Sequence, residues 1–344
     1  MRAAVFEGAG RPLSVTVVPD PTPSPGELVL RTRCCGICGT DLHMTSGAGM
    51  SYPAPCVLGH ELSGEVVARG AGAQRHVIGD RVAVLPFWAC GRCAACVAGR
   101  PNLCVPYEMV GIGRISGGFA EYTPVKDSCC LRLPDNLGYE HGALAEPLAV
   151  ALRGVRKAHI SVTSRVLILG AGPIGLAAAF WARRLGAGRL VVAAPSQRRA
   201  PLALRMGADG FVPLGPRAAD DINDGLGGAP SIVIECVGLP GLIDQAITLA
   251  GPAATVIVLG FCLERDQVTP TVGVMKELDV RFSMVYDVDD YATVLATLAA
   301  GAAEPLAMIT DRVPLNAMPE TFEALRGRTH QCKVLLDPWA ETSL

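Results

Sequence analysis

The sequence predicts an α/β protein, in which a doubly wound parallel sheet follows a mainly β, barrel-like region bearing a cysteine-rich lobe. Three observations carry that expectation. Residues 164–286 alternate short apolar runs with helical stretches, the pattern of parallel strands and crossover helices. Gly170-Ala171-Gly172-Pro173-Ile174-Gly175 stands between one such run and its helix. Before residue 147 the β-prone runs are short and punctuated by Gly and Pro, and Cys90, Cys93, Cys96 and Cys104 cluster among them.

A chain of 344 residues has room for two domains with sizeable cores. Hydrophobic residues make up 50% and charged residues 18%, so most of it should pack rather than stay disordered. The net charge of −2 argues against nucleic acid or an anionic membrane as the main partner. The longest apolar run, 166–182, is broken by glycines and Pro173 and reads as strand, turn and helix rather than a membrane span. Met1 to Glu7 reads as a strand start and not as a signal peptide, which makes the expected location cytoplasmic. The 13 cysteines are an odd count in a large chain, better explained by metal ligation and reduced core thiols than by disulfides.

In the first region, 3–6, 13–18, 27–32, 62–68 and 81–85 are the expected strands. Between them lie Gly36-Ile37-Cys38-Gly39-Thr40-Asp41-Leu42-His43 and Gly59-His60-Glu61. Cys, His and Glu are the side chains that bind zinc in open catalytic sites, although a lone Cys or His is as often a satisfied core residue. Cys90, Cys93 and Cys96 are each separated by two residues, and Cys104 follows after seven. Four thiolates so spaced can close a tetrahedron around a structural zinc; an iron–sulfur cluster or a chance grouping is the alternative. Cys34, Cys35, Cys56, Cys129, Cys130, Cys236, Cys262 and Cys332 lack such spacing and read as small apolar side chains. Residues 139–155 read as a helix in which Glu146 sits among apolar neighbours. A buried carboxylate there needs a partner such as a metal or its water; a solvent-facing carboxylate is the plain alternative.

In the second region the expected strands are 165–169, 189–194, 231–236, 254–259 and 280–286, with helices ending near Leu185 and spanning 197–206 and 241–250. Gly170 permits the tight turn, Gly172 lets a pyrophosphate approach the backbone, and Gly175 allows close helix–strand packing, with Pro173 and Ile174 opening the helix. The phosphates would meet unpaired N–H groups at the helix start, unless this is an α/β domain without a nucleotide. NAD-preferring folds place a carboxylate at the end of the second strand, where this chain has Ala194. Ser196, Arg198 and Arg199 follow and suit a 2′-phosphate, favouring NADP(H) over NAD(H); the alternative is a solvated helix start and dual use. The tail mixes helix (290–299, 317–325) with strand (332–336) and should return to the first region. The domain expectation is therefore 1–147, 148–287 and 288–344.

Together these motifs resemble the zinc-dependent medium-chain dehydrogenase/reductase family of alcohol, sorbitol and threonine dehydrogenases, over essentially the whole chain. Gly118-Phe119-Ala120-Glu121-Tyr122 and Ala145-Glu146-Pro147-Leu148 add to the match. The resemblance implies a GroES-like barrel and a Rossmann domain, with two zincs per chain. It implies that Cys38 and His60 hold the catalytic zinc with Glu61, Glu146 or both, that Asp41 orients His60, and that Cys90, Cys93, Cys96 and Cys104 hold the structural one. Thr40 would take the alcohol proton, His43 would relay it through the cofactor ribose, and Cys236, Val237 and Gly260 would join the cofactor site. Glu146-Pro147 in place of a cysteine points to the polyol and threonine branch.

The implied reaction is hydride transfer between nicotinamide and a secondary alcohol or ketone, with zinc acting as a Lewis acid on the substrate oxygen. Phe87, Trp88, Tyr107 and Met109 either line the substrate pocket or pack the cysteine lobe. Rival readings are zinc-assisted reduction of an iminium or conjugated carbonyl, and a zinc-stabilised binding protein without turnover. Retention of Cys38, His60, Thr40 and His43 argues against the latter. A homodimer or homotetramer is expected, with the apolar run 253–260 either continuing a sheet across subunits or lying as an interior strand.

Overall fold

The computed structural model describes residues 1–47, 52–105, 108–327 and 330–341. The chain divides into two compact units, Met1–Glu146 with Asp287–Ala302 and Ile309–Leu344, and Pro147–Tyr286 with Ala303–Met308.

The first unit is organised by the 10-residue strand Glu27–Gly36. Its burial becomes nearly continuous toward Cys35 and Gly36 because partners flank it on both sides. Glu61–Arg69 pairs antiparallel along its length, Tyr122–Lys126 along its first half, and Lys333–Asp337 against Cys35 and Gly36. Arg81–Val84 and Cys130–Arg132 extend the sheet on one side, and Ile309–Pro314 on the other. Ser14–Val17, Arg2–Phe6 and Cys56–Val57 form a separate antiparallel sheet. Cys34, Ala143 and Leu335 pack together in the core, joining the central strand, the helix Tyr139–Lys157 and the last strand. Gly36 therefore lies opposite Glu61 on one side and Leu335 on the other. A Cβ at Gly36 would fall on the Glu61 carboxylate, so glycine is required for that approach.

The second unit holds a parallel sheet in the order Gly210–Pro213, Arg189–Ala194, Arg165–Leu169, Ile232–Glu235, Thr255–Val258, Asp279–Phe282. The inner strands are buried along their lengths, as expected where helices cover both faces of a parallel sheet. Leu167, Leu169, Val191, Val233 and Val256 pack against Ile222, Leu226 and Ala246 of the helices. Strand order reverses between Arg165–Leu169 and Ile232–Glu235, which opens a crevice at their carboxyl ends.

Two sequence expectations change. The run 253–260 contains Thr255–Val258, which pairs on both sides, so it is an interior strand and cannot continue the sheet into a second copy. An apolar run looks the same in the middle of a parallel sheet as at an edge, and the edges here are Gly210–Pro213 and Asp279–Phe282. That last strand also ends at Phe282 rather than at 286, and Val285 beyond it adopts a left-handed φ of 42°. The run 166–182 resolves into strand Arg165–Leu169 and helix Pro173–Arg184, and no helix among the described residues is long and apolar enough to cross a membrane.

Candidate active site

After Gly36 the chain turns into the short helix Gly39–Met44, with Cys38 as its N-cap. The Thr40 N–H donates to Cys38 Sγ at 3.5 Å, and the Cys38 N–H donates to Asp41 Oδ2 at 3.1 Å. Asp41 is fully buried, and its other oxygen faces His60 Nδ1 at 3.4 Å. The two atoms face each other without a hydrogen bond among the described residues, which sets the carboxylate beside the ring as in sites where a carboxylate orients a ligating histidine. Burial alone would lower the His60 pKa, but the charges of Asp41 and Cys38 raise it well above the ordinary value. Zinc must displace that proton to bind.

The ligand atoms of Cys38, His60 and Glu61 lie within 4.8 Å of one another. They are a soft thiolate, an imidazole and a carboxylate in a mostly buried setting, a donor set that fits zinc with a position left open. Glu146 is buried nearby on the helix Tyr139–Lys157 but is not part of that set. Lys333 was not anticipated from the sequence. Its Nζ donates to both Glu61 oxygens, at 2.7 and 2.6 Å, and to the Ile37 carbonyl at 3.0 Å. Burial would lower its pKa, yet the Glu61 carboxylate raises it instead. The only sequence signal was a lone cation in the apolar run 332–336. Thr40 is half-buried two residues from Cys38, and His43 is exposed one helical turn later.

Cys90, Cys93, Cys96 and Cys104 also bring their sulfur atoms within 4.8 Å of one another. Cys93 caps the short helix Ala94–Val97, and the turn Pro101–Leu103 delivers Cys104. The Cys90 N–H donates to Cys104 Sγ at 3.2 Å and the Cys93 N–H to Cys90 Sγ at 3.4 Å. The backbone N–H of Cys96, then its side chain, lower the Cys93 pKa to about 6. Such donors stabilise thiolates, and four sulfurs so placed fit a closed zinc site. Val97 and Val105 nearby are 78% and 80% exposed, so the lobe has little apolar packing to hold its shape. Phe87–Trp88 pairs with Glu108–Met109, burying Phe87, Trp88 and Met109; Tyr107 lies outside the described residues.

In the second unit, Gly170 has φ 102°, and a Cβ there would meet Val237. A Cβ at Gly175 would strike the Gly170 carbonyl, fixing the close helix–strand packing. A Cβ at Gly172, the N-cap of the helix Pro173–Arg184, would meet no protein atom within 4 Å. Open space beside the helix N-terminus fits an approaching pyrophosphate. Ile174 follows Pro173 in the first turn. Cys236, Val237 and Gly260 gather at the reversal of strand order, organised by Glu235, another residue the sequence reading passed over. Its Oε1 accepts the N–H groups of Val237 and Gly238 at 2.6 and 2.9 Å, and a Cβ at Gly260 would collide with its Oε2. Ala194 ends its strand buried, Ser196 and Arg198 are exposed, and Arg199 donates to the Ala171 carbonyl of the glycine loop at 3.0 Å.

Comparison with known proteins agrees with this geometry. Residues 24–135 match the alcohol dehydrogenase GroES-like domain, and residues 173–300 match the zinc-binding dehydrogenase domain. The chain is 31% identical to (R,R)-butanediol dehydrogenase of Bacillus subtilis (strain 168), covering 98% of this chain and 100% of that protein. It is 32% identical to the sorbitol dehydrogenase of Bombyx mori, covering 94% and 95%. A solved structure described as a zinc-binding dehydrogenase from Sinorhizobium meliloti 1021, bound to NADP, superposes with a TM-score of 0.89 at 34% identity, covering 98% and 99%. With both domain types matched in order and relatives aligned end to end, the chain belongs to the zinc-dependent medium-chain dehydrogenase/reductase family.

Proposed function

We propose that this protein is a zinc-dependent secondary-alcohol dehydrogenase acting on a polyol, cyclitol or amino alcohol, with NADP(H) preferred. The observation that carries the reading is the convergence of Cys38, His60 and Glu61, with Asp41 behind His60 and Lys333 behind Glu61. In it, Cys38, His60 and Glu61 hold the catalytic zinc, with Glu146 as a nearby second carboxylate, and Cys90, Cys93, Cys96 and Cys104 hold a second zinc. When bound, zinc supplies a Lewis acid for the substrate oxygen and the nicotinamide supplies the hydride acceptor or donor.

The protein's own groups manage the rest. In oxidation the carbinol carbon loses a hydride and the alcohol oxygen loses a proton. The Thr40 hydroxyl accepts that proton, and His43, exposed on the same helix, passes it to solvent. Asp41 holds the His60 ring in the ligating orientation, and Lys333 holds the Glu61 carboxylate in place.

The cofactor preference is supported by the missing carboxylate at Ala194 and by Arg199 standing against the glycine loop. A relative of known structure carries NADP, and another, from Escherichia coli CFT073 at 29% identity and a TM-score of 0.90, carries NADH. We place the protein in the cytoplasm as a homodimer or homotetramer. The edge strand Asp279–Phe282, with Val280 39% and Phe282 65% exposed, is the surface for self-association. The test is a panel of secondary alcohols and ketones followed by nicotinamide absorbance, alongside metal analysis. Turnover of a secondary alcohol with two zincs per chain supports the reading; a single zinc with no turnover on any alcohol sinks it.

A further inference from the structure

Tyr52 is buried in the first unit and has no task in the reaction just described. It is only 4% exposed, and its phenolic oxygen has no hydrogen-bond partner among the described residues. Its backbone N–H donates to the Met44 carbonyl at 3.3 Å, which ties it to the end of the helix carrying Thr40 and His43. A few residues on, the chain forms Cys56–Val57 and then reaches His60 and Glu61. Tyr52 thus hangs between the two segments that supply the zinc ligands.

Burial, followed by the charges of Asp41, Cys38 and Cys56, pushes its ionisation upward, so the phenol keeps its proton and remains a donor. No neighbouring acceptor bonds it: Asp41 Oδ2 takes the Cys38 N–H, Cys38 Sγ takes the Thr40 N–H, and Asp41 Oδ1, facing His60 at 3.4 Å, makes no hydrogen bond among the described residues. A buried hydroxyl without a partner is unfavourable and rare unless a ligand group meets it.

We propose that the Tyr52 hydroxyl is a specificity-determining contact, hydrogen-bonding a substrate hydroxyl on the carbon next to the one that reacts. This rests on the alcohol dehydrogenase reading and deepens it to a preference for vicinal diols. The reacting oxygen belongs to the zinc held by Cys38, His60 and Glu61. A phenol that senses Cys38 and Asp41 without bonding either is positioned for the neighbouring oxygen rather than the reacting one.

The experiment compares wild type and Tyr52→Phe, which removes only the oxygen, on matched alcohols such as 2,3-butanediol and 2-butanol. Wild type should favour the diol of each pair. In Tyr52→Phe the diol-to-monool ratio of kcat/KM should fall about two- to tenfold, the range of one neutral hydrogen bond. Calorimetric affinity of the zinc-loaded, reduced-cofactor complex for the diol should fall in the same proportion, with zinc content and melting temperature held. An unchanged ratio, a wild-type preference for the monool, or zinc lost from the variant overturns the assignment of Tyr52. If wild type turns over no alcohol of the panel but retains zinc, the dehydrogenase reading itself fails, and the Tyr52 contact with it.

Discussion

Replacing Lys333 by Met is the sharpest probe of the candidate catalytic centre. The ammonium is 2% exposed and lies within 2.7 Å of both Glu61 oxygens, and the carboxylate it faces is 1% exposed. Met fills much of the same volume but carries no charge, so metal-free protein is left with a buried carboxylate and no cation. Breaking such a pair by removing one partner destabilises by about 3–5 kcal/mol. At about 2–4 °C per kcal/mol for a unit of this size, the chelated variant should melt roughly 6–20 °C below chelated wild type. Zinc restores a cation beside Glu61, so the gap should shrink in zinc-loaded protein, and the variant should hold its catalytic zinc more tightly by linkage. Differential scanning fluorimetry with and without chelator measures both effects. Chelated Lys333→Met melting together with chelated wild type would show that the pair does not govern this site. A gap equally large with and without zinc would show that Glu61 does not face the metal.

The two metal sites should respond differently to loss of one thiol. Cys38→Ser should abolish turnover and lower zinc content by one while leaving cofactor binding nearly intact, and activity surviving in zinc-replete Cys38→Ser refutes the ligand assignment. Cys96→Ser should instead lower the melting temperature, because a closed zinc site contributes folding free energy; an unchanged melt refutes that site. Arg199→Ala should reduce the NADP(H)-to-NAD(H) ratio of kcat/KM by about ten- to hundredfold, the range of one charged hydrogen bond, and a wild-type preference for NAD(H) refutes the cofactor reading. Asp127 accepts from the Arg75 N–H at 2.7 Å and faces His76 Nδ1 at 2.8 Å. Burial would raise its pKa, but these partners outweigh it and lower it. Its stabilisation is therefore present above the ordinary carboxylate pKa and lost as pH falls through the lowered value. Urea midpoints should put Asp127→Asn below wild type at pH 7, with the difference closing toward pH 3; a constant gap contradicts the pairing.

Residues close in sequence were legible, and those joined only by the sheets were not. The glycine fingerprint and the cysteine cluster each lie within a short segment, so their chemistry is written in their spacing. The pairing of Lys333 with Glu61 spans 272 positions and exists only because the last strand docks beside Glu27–Gly36. The strands Tyr122–Lys126 and Ile309–Pro314 went unread for a related reason: Pro124, Thr310, Asp311 and Arg312 interrupt the apolar pattern, and neighbouring strands supply the pairing that local propensity does not. The same dependence explains Gly36, which reads as one more turn glycine until Glu61 is seen lying over it. These residues form one device. Because side chains alternate across a strand, a one-residue slip of Lys333–Asp337 against Gly36 would turn Lys333 to the opposite face and leave Glu61 without its cation. The register of the chain's last strand therefore helps set the charge beside Cys38, His60 and Glu61, all within its first 61 residues.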